Sequence, residues 1–367
     1  MRRSTCGSAI LAASLLGGCL DVAEERAQRD LEIGKAQAGA VAVEVVDGLA
    51  AVRAAADGEL LLWVSAPAIR LRLTPAAGAA RSLRLTAFNV LPDVELGAKQ
   101  GRTSVTAEPL EGEPRTRKRW RVELEPGVTS ELALAPSDAA AGGPWRFAVL
   151  SDIQEAVDRL QDIHRRINAD PSIRFLLGAG DLTERGHADE LERYQNELRA
   201  LDVPYYTTLG NHELGENPTL WHDYFGRGNF HFVFRGVTFT LLDSASATID
   251  PTVYDWLDGW LAEARERVHL VAMHIPPLDP IGVRGGGFAS KNEAAKLLTR
   301  LANGKVDLTL YGHIHSYYGF ENAGIPAHIS GGGGAIPERF DNVGRHFLVV
   351  DVSAEGGVSN VQVVEVD

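Results

Sequence analysis

Two rhythms of apolar and polar residues divide the chain. Between Val41 and about Pro136, short runs at 41–46, 60–64, 69–73, 83–88, 121–124 and 131–134 alternate apolar with polar or charged residues, and Gly and Pro separate them. Residues two apart on a strand share a face, so this alternation predicts a small antiparallel β-sandwich over residues 40–137. From Trp145 onward the rhythm changes. Leu191, Tyr194, Leu198 and Leu201 fall on one face of a helix, and Trp256, Leu257, Trp260 and Leu261 mark a second helix entered at Pro251. Residues 230–234 and 237–242, joined at Arg235-Gly236, read as a hairpin, and 347–352 and 361–366 read as two closing strands. The result is a sheet-rich α/β domain over 145–367, set off by the small-residue linker 138–144.

Five apolar runs of this second domain end in polar residues. Residues 146–150 lead to Asp152 and Gln154, 175–180 to Asp181, and 204–209 to Gly210-Asn211-His212-Glu213. Residues 268–273 lead to His274, and 306–312 to His313 and His315. Polar groups are expensive at the end of a buried strand, and in open α/β sheets ligands gather beyond the carboxyl ends of the strands. The five tips therefore predict one composite site. Its carboxylates, imidazoles and amides suit a pair of divalent metal ions. Two such ions about 3.5–4 Å apart lower the pKa of a shared water and clamp the oxygens of a phosphoryl group, so that hydroxide attacks phosphorus.

Taken in order, Asp152-x-Gln154, Gly180-Asp181, Gly210-Asn211-His212-Glu213, His274 after a strand, and Gly312-His313-Ile314-His315 resemble the calcineurin-like metallophosphoesterase superfamily from about Trp145 to Asp367. The resemblance implies a four-layer αββα sandwich that hydrolyses phosphate monoesters or diesters, with a bridging hydroxide as nucleophile. It implies that Asp152 and His315 bind the first metal, that Asp181 bridges, and that Asn211, His274 and His313 complete the second metal's ligands. His212 would be the general acid, with Glu184 as the carboxylate that orients it. Gln154 stands where the common pattern has a histidine. An amide oxygen is a harder and weaker donor than imidazole, so the first site should be looser or should favour Mn, Fe or Mg over Zn. The alternative is a catalytically weak metal- or phosphate-binding scaffold of the cell envelope. Retention of His212 and Glu184 favours the enzyme.

Composition narrows the partners. The 367 residues are 45% hydrophobic and 23% charged, ordinary for globular domains. A formal charge of −13 argues against nucleic acid as a partner, because polyanions reward basic surfaces. The segment 115–119 is locally basic (Arg115, Arg117, Lys118, Arg119) and reads as a solvated loop. Met1-Arg2-Arg3, an apolar stretch at 9–16 and Leu16-Gly17-Gly18-Cys19 predict a signal peptide over 1–18, resembling a bacterial lipoprotein signal with Cys19 as the acylated residue. That places the protein in the cell envelope, lipid-anchored at the outer membrane. Cys6 lies within the removed segment, which leaves the mature domains without a disulfide. The polar stretch after Cys19 reads as a tether over 19–39, helical in part. His222, His231, Arg227, Arg284 and Arg345 read as surface or structural residues, as do His164, His187, His269, His328 and His346. Gly285–Gly287 could form a mobile loop, and Gly331–Gly334 a turn.

Overall fold

The computed structural model describes residues 22–366 apart from 79–80, 101–102, 216, 283–284 and 339–341. The signal segment, Cys19 and Arg284 thus lie outside the described residues.

Two five-stranded sheets face each other in the N-terminal half. One orders its strands Lys35–Ala38, Val41–Val46, Ile69–Pro75, Ser130–Pro136 and Val94–Gln100; the other orders Ala50–Ala56, Glu59–Val64, Arg81–Phe88, Arg117–Leu124 and Thr103–Glu108. Period-two alternation places Val43, Leu71 and Leu132 opposite Leu62, Leu85 and Val122, all buried in one cluster. One pairing is not antiparallel: Glu59–Val64 runs parallel to Arg81–Phe88. The strand between them in sequence, Ile69–Pro75, belongs to the opposite sheet, so the chain returns on the same heading.

The described part of the stretch read as a tether is packed against the rest of the chain. Residues Val22–Asp30 form a helix docked on the C-terminal half. Arg26 is fully buried, and its Nε and Nη2 donate to Asp243 at 2.6 and 3.1 Å. Asp30, equally buried, accepts from the backbone N–H of Gly228 (2.8 Å), and from the backbone and side-chain nitrogens of Asn229 (3.1 and 2.9 Å). Charges that look solvated in a local window are here desolvated and paired with residues about two hundred positions away, an arrangement tolerable only because each has partners.

The C-terminal half has four layers. Its first sheet runs Tyr205–Thr208, Ile173–Ala179, Trp145–Val149, His346–Ser353 and Gly357–Glu365; its second runs Phe230–Phe234, Val237–Leu242, His269–Met273, Leu308–Tyr311, Ile325–Ser330 and Tyr317–Asn322. Between the sheets lie Phe147, Phe175, Phe232 and Phe239, with Phe147 edge-on to Phe239 at 5.2 Å. The helices Gln161–Asn168 and Ala188–Glu197 cover the outside of the first sheet through Ile163, Ile167, Leu191 and Tyr194. Pro251–Glu263, capped by the Asp250 carboxylate, and Lys291–Asn303 cover the second through Leu257, Leu261, Leu297 and Leu301. Three neighbouring parallel strands of one sheet and two of the other end on the same side, which brings the five tips together. Among the described residues no helix is long and apolar enough to cross a membrane.

Candidate metal centre

The strand tips are bonded to one another before any side chain is considered. Asp152 N–H donates to the carbonyl of Gly180 (3.1 Å), Ile153 N–H to that of Asp181 (2.8 Å), and Gly312 N–H to that of His274 (3.1 Å). Asp152, Gln154, Asp181 and His313 all adopt positive φ, between 51° and 71°. Non-glycine residues seldom do so, and the turn bends each side chain back over the ends of the sheets. A Cβ on Gly210 would collide with Asp181, and one on Gly312 with Asp152, so both positions let backbone approach the carboxylates closely.

Two ligand groups result, and they share Asp181. Ligand atoms of Asp152, Asp181 and His315 lie within 4.8 Å of one another, as do those of Asp181, His274 and His313. His274 Nε2 stands 3.2 Å from Asp181 Oδ2 and 3.1 Å from Asn211 Oδ1. His315 Nε2 stands 3.6 Å from Asp152 Oδ1. The Gln154 side chain points into the first group, its Nε2 donating to Asp181 Oδ2 at 3.0 Å and lying 3.3 Å from His315 Nε2. All seven residues named from the sequence as ligands are therefore gathered in one place.

Backbone carbonyls fix how the imidazoles face. His274 Nδ1 is 2.7 Å from the carbonyl of Ala179, His315 Nδ1 is 2.8 Å from that of Ile336, and His212 Nδ1 is 2.6 Å from that of Glu184. A carbonyl only accepts, so each Nδ1 carries hydrogen and each Nε2 is the nitrogen that faces the centre. For His212 the orienting group is thus the Glu184 main chain; the Glu184 carboxylate is 3.7 Å away and partly exposed. His212 Nε2 lies 3.9 Å from Asp181 Oδ2, at the open side of the site.

Electrostatics show what this donor set lacks. Burial pushes the Asp152 carboxyl above its ordinary range, only partly offset by His274 and His315. Burial works the same way on Asp181, but the adjoining His274 and His212 overcome it and hold that carboxyl well below its usual range. Burial disfavours the His274 cation, yet Asp181 outweighs it and raises the imidazole to about 9. Without metal, then, a proton on His274 neutralises a buried carboxylate. A divalent cation supplies that charge through the same Nε2 and carboxylate oxygens, so the residues present fit a dinuclear nitrogen- and oxygen-ligated centre.

Two stretches named from the sequence support the site in ways their local pattern does not show. Glu213 is buried beneath the loop and accepts five hydrogen bonds of 2.8–2.9 Å, from the backbone of Gly210, Asp181, Leu182 and Thr183 and from the Thr183 hydroxyl. It locks the Asp181 turn to the Asn211 turn. Gly331–Gly334 is more than a turn: Gly333 N–H donates to the Ser151 carbonyl (2.9 Å) and Ala335 N–H to that of Asp152 (3.0 Å), while a Cβ on Gly331 would strike Ile314. This strap holds the Asp152 loop against the His315 loop. Runs of Gly and a single Glu carry no local pattern that reveals such partners.

Residues 146–317 match the calcineurin-like phosphoesterase family. The matched stretch runs through all five strand tips, from Asp152 to His315. A 3',5'-cyclic-nucleotide phosphodiesterase of Nostoc sp. is 28% identical over 158 residues, 40% of this chain and 58% of that protein. A probable glycerophosphodiester phosphodiesterase of Arcobacter nitrofigilis is 24% identical over 176 residues, 42% of this chain and 64% of that protein. The chain thus spans less than two thirds of either relative. Purple acid phosphatase PPD1 of yellow lupin (Lupinus luteus) shares the fold at 13% identity, with a TM-score of 0.51 over 82% of this chain and 72% of its own.

Several other histidines and arginines weighed from the sequence have partners of their own. His222 is buried 3.1 Å from Asp30, His231 lies 3.4 Å from Glu263, and Arg345 is paired with Asp162. His164 and His269 are buried, and desolvation lowers both to about 4.

Proposed function

We propose that the protein is a metal-dependent phosphoester hydrolase acting through a dinuclear centre held by Asp152, Gln154, Asp181, Asn211, His274, His313 and His315. The observation that carries this reading is the shared carboxylate: Asp181 belongs to both ligand groups and is buried between them. When bound, two divalent ions supply Lewis acidity and lower the pKa of a water between them. The chain's own residues do the rest. Asp152 and Asp181 bring negative charge that two cations exceed, which leaves a net positive site for a phosphate in an otherwise acidic protein. His212 presents Nε2 at the open side with its other nitrogen already committed to Glu184, the geometry of a group that donates a proton to a leaving oxygen. Both named relatives are phosphodiesterases, which supports a diester as substrate. Gln154 supports manganese, iron or magnesium over zinc.

The test is hydrolysis of bis(p-nitrophenyl) phosphate and p-nitrophenyl phosphate with added Mn²⁺. The expected result is turnover of the diester, lowered about a hundredfold or more in His212→Ala with metal content unchanged. Absence of turnover for both esters across Mn²⁺, Mg²⁺, Fe²⁺ and Zn²⁺ overturns it. Gain of activity only in Gln154→His would instead favour the weak-scaffold reading, for which the amide in a histidine's place is the supporting observation. We further propose that Cys19 is acylated and holds the enzyme at the outer membrane, so Cys19→Ala should release it into a soluble fraction.

A further inference from the structure

We propose that Asn89, on the N-terminal β-sandwich, is a positioning residue for the metal centre, its side-chain amide completing the outer edge of the strand that delivers Asn211 and His212. The inference rests on the phosphoesterase reading of those two residues. Tyr205–Thr208 is the edge strand of the first phosphoesterase sheet, and only its inner side pairs, with Ile173–Ala179. It is four residues long, and Asn211 follows three residues after it. An edge strand's outward N–H and C=O groups need partners when covered by protein, and a short strand paired on one side is free to shift.

Asn89 supplies those partners. Its Oδ1 accepts the Tyr205 N–H at 2.7 Å, and its Nδ2 donates to the Tyr205 carbonyl and to the Val64 carbonyl, both at 2.8 Å. One amide therefore acts as a one-residue neighbouring strand and ties the edge to the sandwich strand Glu59–Val64. Asn89 is itself buried and adopts φ 60°, a conformation asparagine tolerates better than most residues. The tie continues inward: the Tyr205 hydroxyl donates to the Leu150 carbonyl at 2.8 Å, two residues before Asp152. At the strand's other end, the Thr208 hydroxyl donates to the Gly228 carbonyl (2.8 Å), and Gly228 N–H is held by Asp30 of the N-terminal helix. One end of the strand is thus fastened directly to the sandwich, and the other, through Gly228, to the N-terminal helix. Other bonds across the boundary, from Ser65 to the Phe225 carbonyl and from Arg53 to that of Asp223, reach the helix Leu220–Phe225 instead. The sandwich is on this account part of the catalytic body and more than an appended module.

Asn89→Gly tests the idea cleanly, because glycine accepts the positive φ and only the amide is lost. In the full chain without added metal, hydrogen exchange at 205–212 should rise about tenfold or more while exchange at 308–315 stays unchanged. In a calorimetric Mn²⁺ titration, one equivalent should bind as in the parent and the other about tenfold more weakly. Unchanged exchange at 205–212, an equal rise at both segments, or equal weakening of both equivalents overturns the proposal. If Asn89→Gly does not fold, Asn89→Asp at about pH 4, where a protonated carboxyl keeps the acceptor for Tyr205 N–H and one donor, should give the same local pattern at smaller amplitude, growing as pH rises and the carboxylate faces the two carbonyls. Exchange reports this brace whether or not the protein hydrolyses a phosphoester, so failure here and failure of the phosphoesterase reading leave different records.

Discussion

The two halves of the metal centre are held by different means. Around Asp152, Gln154 and His315 the support is backbone: the glycine strap 331–334 presses one loop on the other with N–H to carbonyl bonds. Around Asn211, His274 and His313 backbone bonds are joined by buried side chains, Glu213 beneath and Asn89 at the strand's outer edge. The first half is tightly enclosed but offers an amide where an imidazole would bind more strongly. The second half has the stronger nitrogen donors but depends on a strand braced from another part of the chain. Rigidity and ligand strength are therefore divided between the halves, and Asp181 is the ligand they share.

Removing that junction should have the largest effect. Asp181→Ala should release both ions and lower activity by about a thousandfold or more, read from metal content and turnover. Retention of one tightly bound ion would mean that the halves are independent. Next in size, His274→Ala should weaken one equivalent by about ten- to a hundredfold, whereas Gln154→His should strengthen the other and shift its preference toward zinc, both read by calorimetry.

A smaller effect separates the metal centre from the buried histidines outside it by pH in the metal-free protein. His274 has a folded pKa of about 9 against an ordinary value near 6.5, so its contribution is complete below about pH 6.5 and is lost as pH rises through 9. His164 and His269 behave oppositely. With folded values of about 4, they stay neutral while the unfolded chain takes up protons, so stability drains as pH falls from about 6.5 to 4. Each group contributes at most about 3 kcal/mol. Denaturant unfolding should show a stability maximum between these windows, and Mn²⁺ should abolish the alkaline loss alone, because a ligated His274 has no proton to lose.

How much of this was legible in the sequence follows from the range of each interaction. The strand tips were legible because apolar runs ending in Asp152, Asp181, Asn211, His274 and His313 repeat one local arrangement five times. The Gln154 departure was legible for the same reason. The docking of Val22–Asp30 was not: Arg26 and Asp30 look like solvated charges until Asp243, Gly228 and Asn229 are brought to them. Likewise Glu184 was read as a carboxylate partner, while the bond to His212 is made by its main chain, which any residue provides. Asn89 sits in an ordinary strand-to-turn context and gives no local sign that it binds Tyr205.

The most direct measurement is metal content and phosphodiester turnover on one sample of the full chain reconstituted with Mn²⁺. Two equivalents per chain, with turnover appearing only as the second is filled, is the predicted result. Full turnover with a single equivalent, or two bound equivalents with none, would contradict a dinuclear phosphoesterase centre built on Asp181.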